Sequence, residues 1–123
     1  MIGYVTLGTN DLDRAVAFYD ELLAVLGARR FMEDPGHFVA WAVAPDKPAI
    51  SVTRPYDGKA ATVGNGVMVA LAVTSKDMVH KVYDKAIALG AQDEGPAGPR
   101  FEGFYAGYFR DLDGNKLNVF CLG

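Results

Sequence analysis

The sequence is short of the residues that build several common kinds of site. Its 123 residues include one cysteine and two histidines. A single thiol, Cys121, excludes an internal disulfide framework and a cysteine-rich zinc centre. Positive charge is not in excess: 12 basic against 15 acidic side chains leave a net charge of −3. The chain therefore offers no general basic surface for nucleic acid or an anionic membrane. No apolar run reaches the roughly 18 residues that a membrane helix needs. The opening MIGYVTLGTNDLDRA has neither the basic region nor the apolar stretch of a cleavable leader. These absences predict a cytoplasmic protein with a reduced thiol and with neither nucleic-acid nor membrane partners. What is present is apolar: half of the residues, enough for one domain with a real core.

The chain resembles itself. GYVTLGTNDLDRAVAFYDELLAVLGA, from Gly3 to Ala28, returns as VMVALAVTSKDMVHKVYDKAIALGA, from Val67 to Ala91. Tyr19-Asp20 matches Tyr83-Asp84, and Gly27-Ala28 matches Gly90-Ala91 with one residue lost between. The β-rich runs Tyr4–Leu7 and Val67–Val73 open the two copies. Asn10 or Asp11 can cap a first helix, and Thr74 or Ser75 a second. Leu12, Ala15, Val16, Tyr19, Leu22, Leu23 and Leu26 recur at helical spacing, as do Met78, Val79, Val82, Tyr83, Ala86 and Ile87. Gly27 and Gly90 stand where a left-handed residue ends a helix. Three strands follow in each copy: around Ala28–Glu33, Phe38–Ala44 and Ala49–Thr53, then near Ala91–Asp93, Phe104–Arg110 and Lys116–Cys121. Asp34-Pro35-Gly36 and Asp113-Gly114-Asn115 read as turns. The Gly- and Pro-rich stretch Glu94–Glu102 reads as a loop. The fold class is thus α+β: two tandem βαβββ modules forming a cupped, barrel-like mixed sheet with the helices outside. Module one covers about residues 1–54, a linker about 55–65, and module two about 66–123.

Strand alternation separates two faces. Val5, Leu7, Ile50, Val52, Val69, Leu71, Val73, Leu117, Val119 and Cys121 make an aliphatic face suited to the helices. Tyr4, Thr6, Ser51, Thr53, Met68, Ala70, Ala72, Asn118 and Phe120 make a mixed one. Unpaired buried hydroxyls and amides cost on the order of 1–3 kcal/mol each, so the mixed face reads as the wall of a wet or ligand-lined concavity.

The tandem βαβββ pattern, the helix motif D-L-x-x-A-x-x-F-Y (Asp11–Tyr19) and the strand lead-in R-D-x-D-G-N-x-L (Arg110–Leu117) resemble the glyoxalase / bleomycin-resistance / extradiol-dioxygenase superfamily, the vicinal oxygen chelate proteins. The likeness spans essentially the whole chain. It implies paired modules around a cup, a homodimer, and, in the enzymes, a divalent metal that stabilises a substrate oxyanion. It also implies metal ligands, His or Glu, at the positions held here by Tyr4, Ser51, Met68 and Asn118. None of the four is an imidazole or a carboxylate, the donors that such a site needs. The expectation is therefore no metal and no other cofactor.

Other residues add little metal chemistry. His37 stands beside a turn, His80 on an exposed helix position, and Cys121 on the aliphatic face. GK and GNG near residues 58–66 lack the context of a phosphate loop, and RDLDGN lacks the remaining ligands of a calcium loop. The first functional expectation is a protein that binds a small planar or aromatic ligand through Tyr4, Thr6, Trp41, Ser51, Thr53, Met68, Phe101, Glu102, Tyr105 and Asn118. The alternative is a lyase, isomerase or dioxygenase of glyoxalase type acting on a small oxygenated substrate. Its candidate catalytic groups are Tyr4, Glu102 and Tyr105.

Overall fold

Asp11 and Ser75 start the two helices. The Asp11 carboxylate accepts the N–H of Arg14 at 3.1 Å, and the Ser75 hydroxyl accepts that of Met78 at 3.2 Å. Each satisfies one of the donors that a helix N-terminus leaves free. At the far ends Gly27 (φ +79°) and Gly90 (φ +102°) adopt the left-handed conformation, which glycine enters without a Cβ penalty. The chain then reverses, and the amides of Ala28 and Ala91 bond back to the carbonyls of Leu23 and Ala86.

In the computed structural model, which describes residues 1–123, the order is β1 (Tyr4–Gly8), α1 (Leu12–Ala24), β2 (Arg29–Asp34), β3 (Phe38–Ala42) and β4 (Ala49–Thr53). It continues with β5 (Val69–Ala72), α2 (Lys76–Ala88), β6 (Gln92–Phe101), β7 (Phe104–Arg110) and β8 (Lys116–Leu122). The ladders form two four-stranded mixed sheets in the orders β1-β4-β3-β2 and β5-β8-β7-β6, with β1 parallel to β4 and β5 parallel to β8. Both copies are thus βαβββ and the fold is α+β. The chain divides into two compact units, Met1–Val63 and Gly64–Gly123. Neither helix is long and apolar enough to cross a membrane.

In the first unit Leu22, Leu23 and Tyr19 of α1 are buried with Val39, Trp41 and Val52 of the sheet. A polar clamp ties α1 to β2 and β3: Asp20 accepts from Arg30 Nη2 and Nε, at 2.7 and 3.0 Å, and from the Trp41 indole at 2.8 Å. The Arg30 bonds hold the Asp20 carboxyl below its usual pKa. Of the expected linker, about residues 55–65, the part up to Val63 belongs to this unit. Asn10 brackets Ala61, accepting from its N–H at 2.7 Å and donating to its carbonyl at 3.1 Å.

In the second unit Val79, Val82 and Ala86 of α2 pack over Phe109, Leu117, Val119 and Cys121. Gly107 lies under the Tyr83 ring; a Cβ there would come within 2.9 Å of it. Register runs unbroken through Gly107↔Val119, so the glycine makes room for an aromatic ring and no bulge. Glu94–Glu102, expected as a loop, is mostly strand. Residues 92–101 form β6, with register shifts at Asp93/Gly95, Gly95/Gly98 and Pro99/Phe101. Pro96 and Pro99 are tolerated because β6 is an edge strand, where missing donors face outward, and Gly95 (φ +154°) absorbs a bulge.

Asp111 of the RDLDGN turn accepts from the N–H groups of Asp113 and Asn115 and from the Asn115 side chain, each within 3.0 Å. The carboxylate closes a turn, as the sequence predicts.

Tyr83 donates to Asp93 at 2.7 Å. Burial and this bond push the phenol up to about 12. Between pH ~10, where an unfolded tyrosine ionises, and about 12 the unfolded chain releases a proton that the folded chain keeps. Stability contributed by this group is complete below that window and falls as pH rises through it. Urea midpoints measured from pH 9 to 12 are expected to fall less steeply for Tyr83→Phe than for the wild type.

Candidate functional site

Only one face of each sheet carries a helix. On the open face of the first unit lies a depression of about 530 Å³. Its floor comes from alternate residues of adjacent strands: Tyr4 and Thr6 of β1, Ala49, Ser51 and Thr53 of β4, and Phe38 and Ala40 of β3. Phe31 and Met32 form one wall together. Consecutive strand residues normally face opposite sides, but the ladder slips between Arg30 and Met32, making Phe31 an extra residue in β2. Lys47, from the β3–β4 connection, is the one charged side chain at the rim. The Thr6 and Ser51 hydroxyls share a 2.9 Å hydrogen bond, and Ser51 also donates to the Val5 carbonyl at 3.3 Å. The surface is apolar with a short row of hydroxyls, and Tyr4 is 71% exposed on it.

The structure thus gathers Tyr4, Thr6, Ser51 and Thr53 of the expected site. It moves Trp41 away. Trp41 shares its parity with Val39, faces α1, is 2% exposed and tilts against Tyr19 with ring centroids 5.8 Å apart. Phe38, three residues earlier and of the same parity as Ala40, supplies the aromatic ring of β3 on this face instead.

In the second unit Asn118 and Phe120 of β8, Ala70 of β5, and Phe104, Ala106 and Tyr108 of β7 share the helix-free face by alternation and register. Met68 precedes β5 and is partly exposed. Phe101, Phe104 and Phe120 form a stacked series, with centroids 4.8 and 5.4 Å apart. Glu102 sits at the hairpin tip between β6 and β7, exposed, with Gly103 (φ +75°) completing the turn. Tyr105 has the other parity. With Gly107 and Phe109 it faces the helix side, and its hydroxyl lies 2.6 Å from His80 Nε2. Parity along β7 therefore removes Tyr105 from the open face, just as parity along β3 removes Trp41.

Asn118 is 1% exposed, and its Oδ1 is buried without a hydrogen-bond partner. Across the ladder stands Tyr108, whose ring has the Arg100 guanidinium 5.2 Å and the Lys116 ammonium 5.6 Å from its centroid. A buried acceptor left unpaired is costly, so this amide is the polar atom of the face most in need of a donor.

Comparison with known proteins now adds a family. A model of the Glyoxalase/Bleomycin resistance protein/Dioxygenase superfamily matches residues 1–119. The chain belongs to this superfamily. A glyoxalase/bleomycin resistance protein from Albidiferax ferrireducens is similar over 100% of this chain and 99% of its own, at 28% identity and a TM-score of 0.90. Two more distant structures share the fold. A family enzyme from Burkholderia phytofirmans has 20% identity, covers 98% of both chains and has a TM-score of 0.77. A lactoylglutathione lyase from Agrobacterium tumefaciens has 23% identity, 98% and 92% coverage and a TM-score of 0.71. No curated protein is significantly similar in sequence.

The resident metal implied by the superfamily can be tested against the donors present. Tyr4 and Ser51 offer a phenol and a hydroxyl already bonded within its own strand pair; Met68 and Asn118 offer a thioether and a neutral amide. No group of three or more His, Cys, Asp or Glu side chains converges anywhere in the described chain. This donor set does not suit a divalent cation.

The unpaired Asn118 acceptor predicts a stability effect opposite to that of most buried substitutions. Asn118→Leu removes a desolvated amide worth about 1–3 kcal/mol. The urea midpoint is expected to rise, or at worst to stay level if the larger side chain crowds its neighbours. A fall of more than about 1 kcal/mol would show that the amide is satisfied in solution.

Proposed function

We propose that this superfamily member binds a small, planar or aromatic organic molecule on the helix-free face of its sheets, without a resident metal ion. The observation that supports this most directly is the depression on the first unit. Phe31, Met32 and Phe38 wall it, a row of hydroxyls crosses its floor, and no side chain of the family's ligand type enters it. Apolar walls with a few placed polar groups are the usual composition of an organic-ligand site. The exposed Tyr4, Phe31 and Met32 are apolar surface that a ligand would remove from water, at about 25 cal/mol per Å². In the second unit, the stacked phenylalanine series supports the same use of the open face as an aromatic wall.

Two measurements test the reading. Thermal shift against a library of planar aromatic compounds is expected to give saturable stabilisation, since a ligand that binds only the native state raises its stability. Thr6→Trp places an indole over the floor from an exposed strand position and is expected to abolish the shift while leaving the unliganded midpoint within a few degrees. A library with no hit, or hits that survive Thr6→Trp, counts against the site.

Elemental analysis of protein purified without chelators is expected to find transition metal well below one equivalent per chain. A full equivalent lost on Tyr4→Phe or Ser51→Ala would reverse the metal-free assignment.

A further inference from the structure

A second depression, of about 660 Å³, opens at the far end of the same sheet, where β1 and β4 finish. Phe38 and Thr53 line both depressions, so the two share a wall. Their chemistry differs. The first carries one rim lysine; the second gathers Arg54, Lys59 and His37, with Asp34 as its one carboxylate. Asp34 is already engaged beside His37, with its Oδ2 3.7 Å from Nδ1. Arg54 and Lys59 have no carboxylate partner among the ion pairs. Their backbone is nevertheless held: the Arg54 N–H donates to the His37 carbonyl at 3.0 Å, and the Lys59 N–H to Asp57 at 2.9 Å. Two cations that are in no ion pair thus stand in one concavity, on backbone that is held in place. Cations within a concavity raise the local concentration of anions and bond them with charge assistance.

We propose that this second depression is an anion subsite, and that the ligand of the first unit is an amphipathic anion. Its planar apolar body lies against Phe38 and the hydroxyl row, and its anionic group reaches past Thr53 to Arg54 and Lys59. The proposal rests on the open face being a ligand site and narrows the class of ligand that it takes.

Naphthol, naphthoate and naphthyl phosphate present one aromatic body with a neutral hydroxyl, a carboxylate and a phosphate. Calorimetric titration of the full chain is expected to show both anions binding about tenfold tighter than naphthol, with the advantage shrinking as salt is raised. The double variant Arg54→Gln, Lys59→Gln is expected to bring both anions down to the affinity of naphthol. Inorganic phosphate alone is expected to raise the melting midpoint of the wild type and not that of the double variant. Naphthol binding as tightly as the anions would overturn the proposal while leaving the open-face site standing. So would an anion advantage that survives the double variant or is lost instead in Lys47→Gln. If none of the three aromatic compounds binds, the open-face reading fails and the proposed ligand class fails with it. The phosphate arm then reports whether the cations alone form a site.

Discussion

One thirteen-residue helix can cover only one face of a four-stranded sheet. That constraint governs each module. The aliphatic face of the first sheet takes α1, and that of the second takes α2, each closing a core of valines and leucines, with three buried aromatic rings in the first and one in the second. The remaining face of each sheet has no helix of its own. Whatever side chains stand there do not serve to bury that helix.

The helices must also be held at a fixed angle to the sheets, or the open faces would have no fixed shape. The two modules do this with different chemistry from adjacent helix positions of the repeat. In the first, Asp20 of α1 grips Arg30 at the start of β2 and the Trp41 indole of β3. In the second, Tyr83 of α2 reaches Asp93 at the start of β6, and Asp93 also takes the Gly95 N–H at 2.8 Å. An ion pair half exposed to water contributes modestly; its third bond, to a buried indole that would otherwise lack an acceptor, makes the clamp directional. The sheet ends of the two clamps, Arg30 and Asp93, both lie at the second residue of the strand after the helix, while the helix ends are one repeat position apart.

The repeat, the helix caps, the terminal glycines and the face of most strands were legible in the sequence, because each is a local pattern of period two or of three to four. Alternation failed where it was not carried through. Val39 and Trp41 share a parity, as do Tyr105, Gly107 and Phe109, and following either series places the aromatic ring on the helix side. The polar partners that hold those rings there, Asp20 and His80, lie on other elements, and nothing local in the sequence points to them. The bulge that brings both Phe31 and Met32 into one wall is likewise invisible to a period-two reading. Glu94–Glu102 was misread for the opposite reason: its prolines and glycines do forbid a central strand, yet an edge strand with bulges accepts them.

The same constraint leaves polar groups on the helix-free face of each sheet. In the first unit Ser51 stands in a row of neutral hydroxyls beside apolar walls, and in the second Asn118 brings a neutral amide to the helix-free face. The hydroxyls of Thr6 and Ser51 satisfy each other and rest cheaply without a ligand. Asn118 does not: its carbonyl is buried beside Tyr108 and accepts nothing. A fold that needed only to be stable would replace that amide with a hydrocarbon side chain, as neighbouring strand positions already do. Its unpaired acceptor is a cost to the fold, about 1–3 kcal/mol, that no contact within the second unit offsets.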